Sequence, residues 1–94
     1  MRVSWTDDAL HNVESIADYI VPYNLEAALE TVSTIFEAVD RLEKYPSSGR
    51  PGRLLGTREL VVAGTPYVVP YRVRGSVVEI IRVFHGARKW PDEI

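Results

Sequence analysis

The residues best suited to chemistry in this chain are arginines, and most of them lie in its second half. Residues 46–94 contain eight basic and four acidic side chains, whereas residues 1–45 contain three basic and nine acidic ones, within a net charge of −2. Seven of the eight cations are arginine, whose planar guanidinium binds carboxylates and phosphates through paired hydrogen bonds. This half is predicted to contact an anionic partner, unless the arginines only keep a sheet soluble.

Six arginines and one tryptophan are the candidate residues for contacting a target or a partner protein. They are Arg50, Arg53, Arg58, Arg72, Arg82, Arg88 and Trp90. Trp90 is flanked by basic residues, so it would either stack on a nucleobase or pin the end of the chain onto the body of the protein. We expect pinning, and we expect Trp5 to lie in the core.

A smaller set of residues could catalyse a reaction at a phosphate group. His85 is the histidine near cations and has the acid–base chemistry of a general base at neutral pH. In that case Arg58 and Arg72 would stabilise the negative charge on the reacting phosphate. Otherwise His85 is a strand-end histidine bonded to the backbone. The two arginines would then pair with Glu59 or Glu79, or bind a carboxylate of a partner protein.

Several classes of site are not expected from this sequence. It contains no cysteine, its two histidines lie at positions 11 and 85, and it has none of the usual phosphate-loop, zinc-protease or nucleophile-elbow motifs. We therefore predict neither a metal site nor a cofactor. A membrane span requires about 18 consecutive apolar residues, and no apolar run in the sequence approaches this length. The sequence also shows no apolar leader. The prediction is a cytoplasmic protein without membrane contact.

Two helices are predicted in the first half of the chain. Thr6 can cap a helix that ends near Val21, and Asn24 can cap a second one that continues to about Tyr45, since prolines follow both ends. Apolar residues recur at helical spacing. They are Leu10, Val13, Ile16, Ala17 and Ile20 in the first helix, and Ala28, Val32, Ile35, Val39 and Leu42, flanked by Leu29 and Phe36, in the second.

The second half is predicted to form strands. Residues 46–56 are rich in proline, glycine and serine and indicate a loop, and three β-prone runs follow at 57–63, 67–73 and 77–84. Pro70 should cause a bulge or a break in pairing, because proline cannot donate to a strand ladder. Residues 2–5 are also β-prone.

The order β-α-α-β-β-β predicts one α+β domain over residues 1–94. An antiparallel helical hairpin should pack on one face of a mainly antiparallel four-stranded sheet. The first strand has no hairpin partner, so it should pair with the last one. The uncovered face of the sheet would carry apolar and arginine side chains, and we expect the site there.

Three motifs in this order resemble a known family. They are the segment Gly56-Thr57-Arg58-Glu59-Leu60, the strand Tyr71-Arg72-Val73, and the ending from Val78 to Pro91 that contains Arg82-Val83-Phe84-His85. With the predicted element order, they resemble the RelE/ParE superfamily of toxins from bacterial type II toxin–antitoxin modules. The resemblance spans about residues 3–91.

The resemblance implies a growth-arresting toxin that is neutralised by a co-encoded antitoxin. RelE-like members cut messenger RNA in the ribosome, and by its motif Arg58 matches their phosphate-holding arginine, while His85 matches a histidine near the end of several members. ParE-like members inhibit DNA gyrase. The pI of about 5.6 argues against binding ribosomal RNA, which depends on phosphate electrostatics, and the ending around His85 is closer to the ParE branch.

We therefore expect a ParE-like gyrase inhibitor, with a ribosome-dependent endonuclease as the alternative. A module that binds its antitoxin but has lost toxicity is a third interpretation. In each case an acidic or amphipathic antitoxin segment should cover the basic sheet face. Charge reversal at Arg58 and Arg72 is then expected to weaken antitoxin binding.

Overall fold

The computed structural model describes residues 1–88 and residue 90. In chain order its elements are β1 (Arg2–Trp5), α1 (Asp7–Ile20), α2 (Leu25–Asp40), a 3₁₀ turn (Arg41–Glu43), β2 (Arg50–Pro51), β3 (Arg58–Val61), β4 (Tyr67–Arg74), β5 (Val77–Ile80) and β6 (Phe84–His85). The two helices pack together on one face of the sheet, and the predicted α+β fold is confirmed. Over the described residues, no helix combines the length and hydropathy that a membrane span requires.

Both helices begin at their predicted caps. The Oγ1 atom of Thr6 accepts a hydrogen bond from the Ala9 amide at 3.0 Å, and Oδ1 of Asn24 accepts one from the Ala27 amide at 3.0 Å. These bonds satisfy amides that have no partner inside the helix. The predicted end of the second helix at Tyr45 is wrong, because α2 stops at Asp40 and its continuation tightens into the 3₁₀ turn.

The core lies between the helical hairpin and one face of the sheet. Its buried residues are Ala9, Val13, Ile35, Ala38, Val39, Leu42, Val62, Tyr67, Val69, Tyr71, Val78, Ile80 and Val83. Trp5 packs against this cluster as predicted, with its ring 4.8 Å from that of Phe36. Leu10 and Leu29 are exposed instead. The buried stripe of α1 runs through Ala9 and Val13, one residue away from the predicted start at Leu10.

The sheet has the strand order β1-β5-β4-β3-β2. Strands β3, β4 and β5 form the predicted antiparallel meander, and β1 pairs with β5 in parallel, with Val3 opposite Val78. The predicted pairing of the first strand across the fold is therefore confirmed. Among the residues that the structure describes, six short strands replace the four predicted, because the loop residues Arg50–Pro51 pair with β3 and the last predicted strand is split in two.

Pro70 accounts for that split. Its carbonyl oxygen accepts a hydrogen bond from the Ile81 amide at 3.0 Å. In an antiparallel pair, the N–H and C=O of one residue face the same neighbouring strand, so the donor that proline lacks is lost on this side. That neighbour leaves the ladder at residues 81–83, between β5 and β6, which pair with different parts of β4. The predicted break in pairing at Pro70 is confirmed.

Side chains of α1 satisfy the backbone groups of the broken segment 81–83. Thr6 donates its hydroxyl to the Ile81 carbonyl at 2.8 Å, and Oδ1 of Asn12 accepts from the Val83 amide at 3.0 Å. Between them, Arg82 forms an ion pair with Asp8 at 3.4 Å. The Ile81 carbonyl and the Val83 amide are thus bonded by α1 and its cap residue instead of by another strand.

Candidate functional site

The strand register places Arg58 and Arg72 on opposite faces of the sheet. Arg58 lies opposite Tyr71, a core residue on the helix-covered face. Arg72 is the next residue along β4, so it points to the uncovered face, where it forms a 2.6 Å ion pair with Glu79. The pairing of Arg72 with Glu79, which the sequence allowed, is therefore present. A partner that covers one face cannot contact both arginines.

Arg58 fastens the loop that follows the helices. Its Nη1 atom donates to the carbonyl oxygens of Gly49 at 2.9 Å and of Ser47 at 3.3 Å. Beside it, the Tyr71 hydroxyl accepts from the Gly49 amide at 2.9 Å and donates to the Pro46 carbonyl at 2.8 Å. The two side chains hold residues 46–49 against the sheet. Burial raises the pKa of Tyr71 above its ordinary value of 10.0, against the opposing effect of the Gly49 hydrogen bond.

We expect Tyr71→Phe to lower the free energy of unfolding by about 1–2 kcal/mol at pH 7, because the Gly49 amide and the Pro46 carbonyl lose their partner. Urea denaturation measures this, with Tyr45→Phe, at an exposed tyrosine, as the unaffected control. Because the pKa of Tyr71 is raised in the folded protein, the unfolded chain releases this proton at a lower pH. The neutral hydroxyl therefore stabilises the fold fully below pH 10, and this contribution is lost as the pH rises further. The variant should therefore lose less stability above pH 10 than the wild type; an equal loss would contradict this assignment.

Glu59 is the buried charged residue on which the loop between β2 and β3 depends. Only 3% of it is exposed. Its Oε1 atom accepts from Nε and Nη2 of Arg50 at 3.2 and 3.0 Å, and its Oε2 atom accepts from the Arg53 amide at 2.9 Å. The Arg53 side chain also lies 3.7 Å from this carboxylate. A buried carboxylate is tolerated when it is bonded in this way.

Trp90 pins the end of the described chain onto the body of the protein, as predicted. It is buried, its ring lies 4.7 Å from that of Phe84, and its Nε1 atom donates to the His85 carbonyl at 3.3 Å. The guanidinium of Arg53 lies 3.6 Å from the centre of the Trp90 ring, a cation–π contact. Lys89 and Pro91, which belong to the motif quoted above, lie outside the described residues.

His85 is held by local contacts at the end of the sheet. Its Nδ1 atom accepts a hydrogen bond from the Ala87 amide at 3.2 Å, and its ring meets the Tyr67 ring edge-on at 5.8 Å. With Nδ1 accepting, a neutral imidazole carries its proton on Nε2 and offers a donor there. This is the backbone-bonded histidine that the sequence allowed as an alternative.

The three residues proposed for RNA cleavage do not converge in the structure. Arg58 lies opposite Tyr71, and His85 lies opposite Tyr67 on the other side of β4. These positions are four residue steps apart along β4, about 13 Å at 3.3 Å per residue. Arg72 points to the other face of the sheet. A base and two cations that act on one phosphate would have to lie within contact of it.

Arg88 is exposed and lines a cleft of about 590 Å³ between α1 and the end of the sheet. The other walls include Tyr19, Tyr67, His85 and Trp90. Burial raises the pKa of Tyr67 above 10.0, and the nearby charge of Arg88 opposes that shift. The cleft therefore combines aromatic walls with one cation at its side.

Two features of the site were missed at the sequence level. Glu59 was predicted only as a possible partner of Arg58 or Arg72, although an acidic residue within a Val-rich strand is a signal for a buried, bonded carboxylate. For Leu55 the sequence predicted no role. An apolar residue in a loop of glycines, prolines and arginines is a weak signal, because single exposed leucines are common.

Comparisons with known proteins agree with this architecture. The family model for the ParE toxin of the type II toxin–antitoxin system parDE matches residues 3–90. The putative toxin Y4kP of Sinorhizobium fredii is 47% identical over 90 residues, which cover 96% of this chain and 93% of that protein. Toxin RelE2 of Caulobacter vibrioides is 39% identical over 87 residues, covering 93% and 97% of the two chains.

Two solved structures share the fold. A chain of the chromosomal ParDE toxin–antitoxin system from P. aeruginosa superposes with a TM-score of 0.84 at 32% identity, covering 90% of this chain and 95% of that one. A chain of the RelBE2 toxin–antitoxin complex from Mycobacterium tuberculosis superposes with a TM-score of 0.66 at 24% identity, over 89% and 95%.

The fold, the family match and the relatives together show the class of this chain, a toxin of the RelE/ParE superfamily. Within that class, the chain belongs to the ParE toxin family of type II toxin–antitoxin systems.

Proposed function

We propose that this toxin arrests growth by inhibiting DNA gyrase. The observation that carries the proposal is the match of the ParE toxin model to residues 3–90. Inhibition of this kind needs a binding surface and no reacting group. Within the described residues, every buried polar atom of a side chain has a hydrogen-bond partner, and a surface held in this way is preorganised for binding.

The positions of the candidate catalytic residues support the same proposal. An endonuclease would gather a base and cations around one phosphate. Here Arg58 is bonded to loop carbonyls, and Nδ1 of His85 accepts from a backbone amide. In this arrangement both side chains hold backbone segments in place. In the proposed function, any contact that they make with gyrase is a binding contact and not a catalytic one.

The charge pairing also supports a protein target over ribosomal RNA. Four of the candidate arginines lie within 4 Å of a carboxylate, namely Arg50, Arg53, Arg72 and Arg82. Their charges are partly neutralised within the protein, whereas affinity for RNA depends on cations that are free to contact phosphates.

We also propose that a cognate antitoxin covers the toxin in the cytoplasm. Solved neighbours of this chain come from toxin–antitoxin systems. The uncovered sheet face, where Arg72, Arg74 and Val61 are at least partly exposed, offers the mixed basic and apolar surface that an acidic amphipathic segment would bind.

A ribosome-dependent endonuclease is the second candidate. It is favoured by the similarity to Toxin RelE2 at 39% identity. In that case a substrate-bound arrangement would have to bring Arg58 and His85 to the same phosphate.

Pulse labelling separates the two candidates. The chain is induced in bacteria without an antitoxin, and incorporation of thymidine and of leucine is followed over the first minutes. We expect thymidine incorporation to fall first, and purified toxin to inhibit supercoiling by gyrase. His85→Ala should inhibit as strongly as the wild type, since no proton transfer is involved.

An early fall in leucine incorporation that His85→Ala abolishes would instead establish the endonuclease. Normal growth and normal incorporation after induction would support the third interpretation, a module that binds its antitoxin without toxicity.

A further inference from the structure

The loop of residues 52–57 presents a leucine to solvent. The amide of Gly52 donates to the Thr57 carbonyl at 2.8 Å, and the Thr57 amide and hydroxyl donate to the Leu54 carbonyl at 3.2 and 2.6 Å. Gly56 turns the chain with a φ of 81°, a conformation that suits glycine. At the tip of this closed loop, Leu55 has a relative exposure of 104%.

The base of this loop is rigid. The buried carboxylate of Glu59 accepts hydrogen bonds from the Arg53 amide and from the Arg50 side chain. The guanidinium of Arg53 packs on the buried Trp90 ring. Ordering Leu55 in the bound state would therefore require little further loss of chain entropy, which is the condition for a preorganised contact.

Two cations lie close to Leu55 in sequence, Arg53 in the same loop and Arg50 in β2 directly before it. The side chains of Arg50 and Arg53 keep 54% and 50% of their surface exposed while each contacts Glu59. Each guanidinium has five N–H donors, so donors are left over for an outside acceptor. The segment from β2 to the end of this loop therefore combines one exposed apolar side chain with two cations.

We propose that Leu55 is the anchor through which the toxin binds the folded protein that it inhibits, with Arg50 and Arg53 contacting carboxylates beside it. The inference rests on the proposed function and names the contact surface. A single projecting side chain gains affinity by entering a pocket that already exists, as in the buried centres of protein interfaces. The partner is therefore a folded protein with an apolar pocket that is edged by acidic residues.

This chemistry argues against a nucleic-acid contact at the same loop. An aliphatic leucine neither stacks on bases as an aromatic ring does nor offers hydrogen bonds to them. An RNA target would use the arginines and leave Leu55 without a role.

The test compares three variants of the full chain in the gyrase supercoiling assay. Leu55→Ser should raise the toxin concentration for half-inhibition by about 10- to 100-fold, since burial of the leucine is lost. Leu55→Met should retain most of the inhibition, because it keeps an apolar side chain of similar volume. Leu29→Ser is the matched control. It removes a leucine that is 63% exposed on α2, outside this loop, and should inhibit like the wild type.

The outcomes separate this inference from the proposed function. If wild-type toxin inhibits gyrase and Leu55→Ser inhibits it equally well, the inference is overturned. It is also overturned if Leu29→Ser loses as much inhibition as Leu55→Ser. If wild-type toxin inhibits translation and leaves gyrase active, the proposed function is wrong, and the same variants are compared in a translation assay. A loss specific to Leu55→Ser there would support the anchor, and no loss would overturn it. Because the Leu55 side chain is fully exposed, thermal unfolding should be unchanged in Leu55→Ser.

Discussion

Replacement of Glu59 by alanine is expected to lower the free energy of unfolding by about 2–3 kcal/mol. The variant removes the acceptor of three hydrogen bonds and leaves the Arg53 amide without its partner. The effect should stay below that of breaking a fully buried ion pair, because both arginine side chains are half exposed and water can replace part of the contact.

Urea denaturation at pH 7 measures the effect of Glu59→Ala. Glu79→Ala is the matched control, since it also removes an arginine-paired carboxylate, but one whose side chain is 30% exposed. A partly exposed pair contributes little, about 0–1 kcal/mol. Equal destabilisation by the two variants would show that burial of Glu59 has no special role in holding the loop.

Trp90→Ala should be similarly destabilising, by about 2–3 kcal/mol. The substitution removes a buried ring that packs on Phe84, supports the Arg53 guanidinium and donates to the His85 carbonyl. The loss should be smaller than for a tryptophan enclosed in a core, because a chain end can shift to close part of the gap.

Thermal or urea unfolding checks this expectation, and Trp90→Phe serves as the control. Phenylalanine keeps an aromatic face for Arg53 and Phe84 and loses only the indole N–H, so we expect it to recover about half of the stability. In a Trp5→Phe background, the fluorescence of Trp90 alone reports whether the tail is pinned. If Trp90→Ala is as stable as the wild type, the stack contributes nothing to the fold.

The local signals in the sequence predicted the helices and the break in the sheet well. Thr6 and Asn24 cap helices because they can bond an amide three residues ahead, and Pro70 interrupts pairing because it lacks a donor. These effects act within a few residues of the chain. They are therefore readable without knowledge of the tertiary structure.

The arrangement of the site could not be read in the same way. A two-residue period gives the alternation along β3 and along β4, but the register between them decides that Arg58 and Arg72 lie on opposite faces. Likewise, the burial of Glu59 depends on Arg50 returning as β2, a two-residue strand that has no propensity signal of its own. Both facts come from pairing between separate strands, which the residues of one strand alone do not determine.

The parallel pairing of β1 with β5 has a consequence for how the protein is made. Arg2 pairs with Val77, so the outer strand of the sheet cannot find its place until some 75 residues later have been synthesised, about 4–15 s at ribosomal speeds. The hydrogen bonds of the two helices join residues that are close in sequence, so the helices can form within that interval. Pairing of strands that are far apart in sequence is slower. Newly made toxin therefore passes through a stage with formed helices and an incomplete sheet, and the surfaces built on that sheet exist only once the last strands are in place.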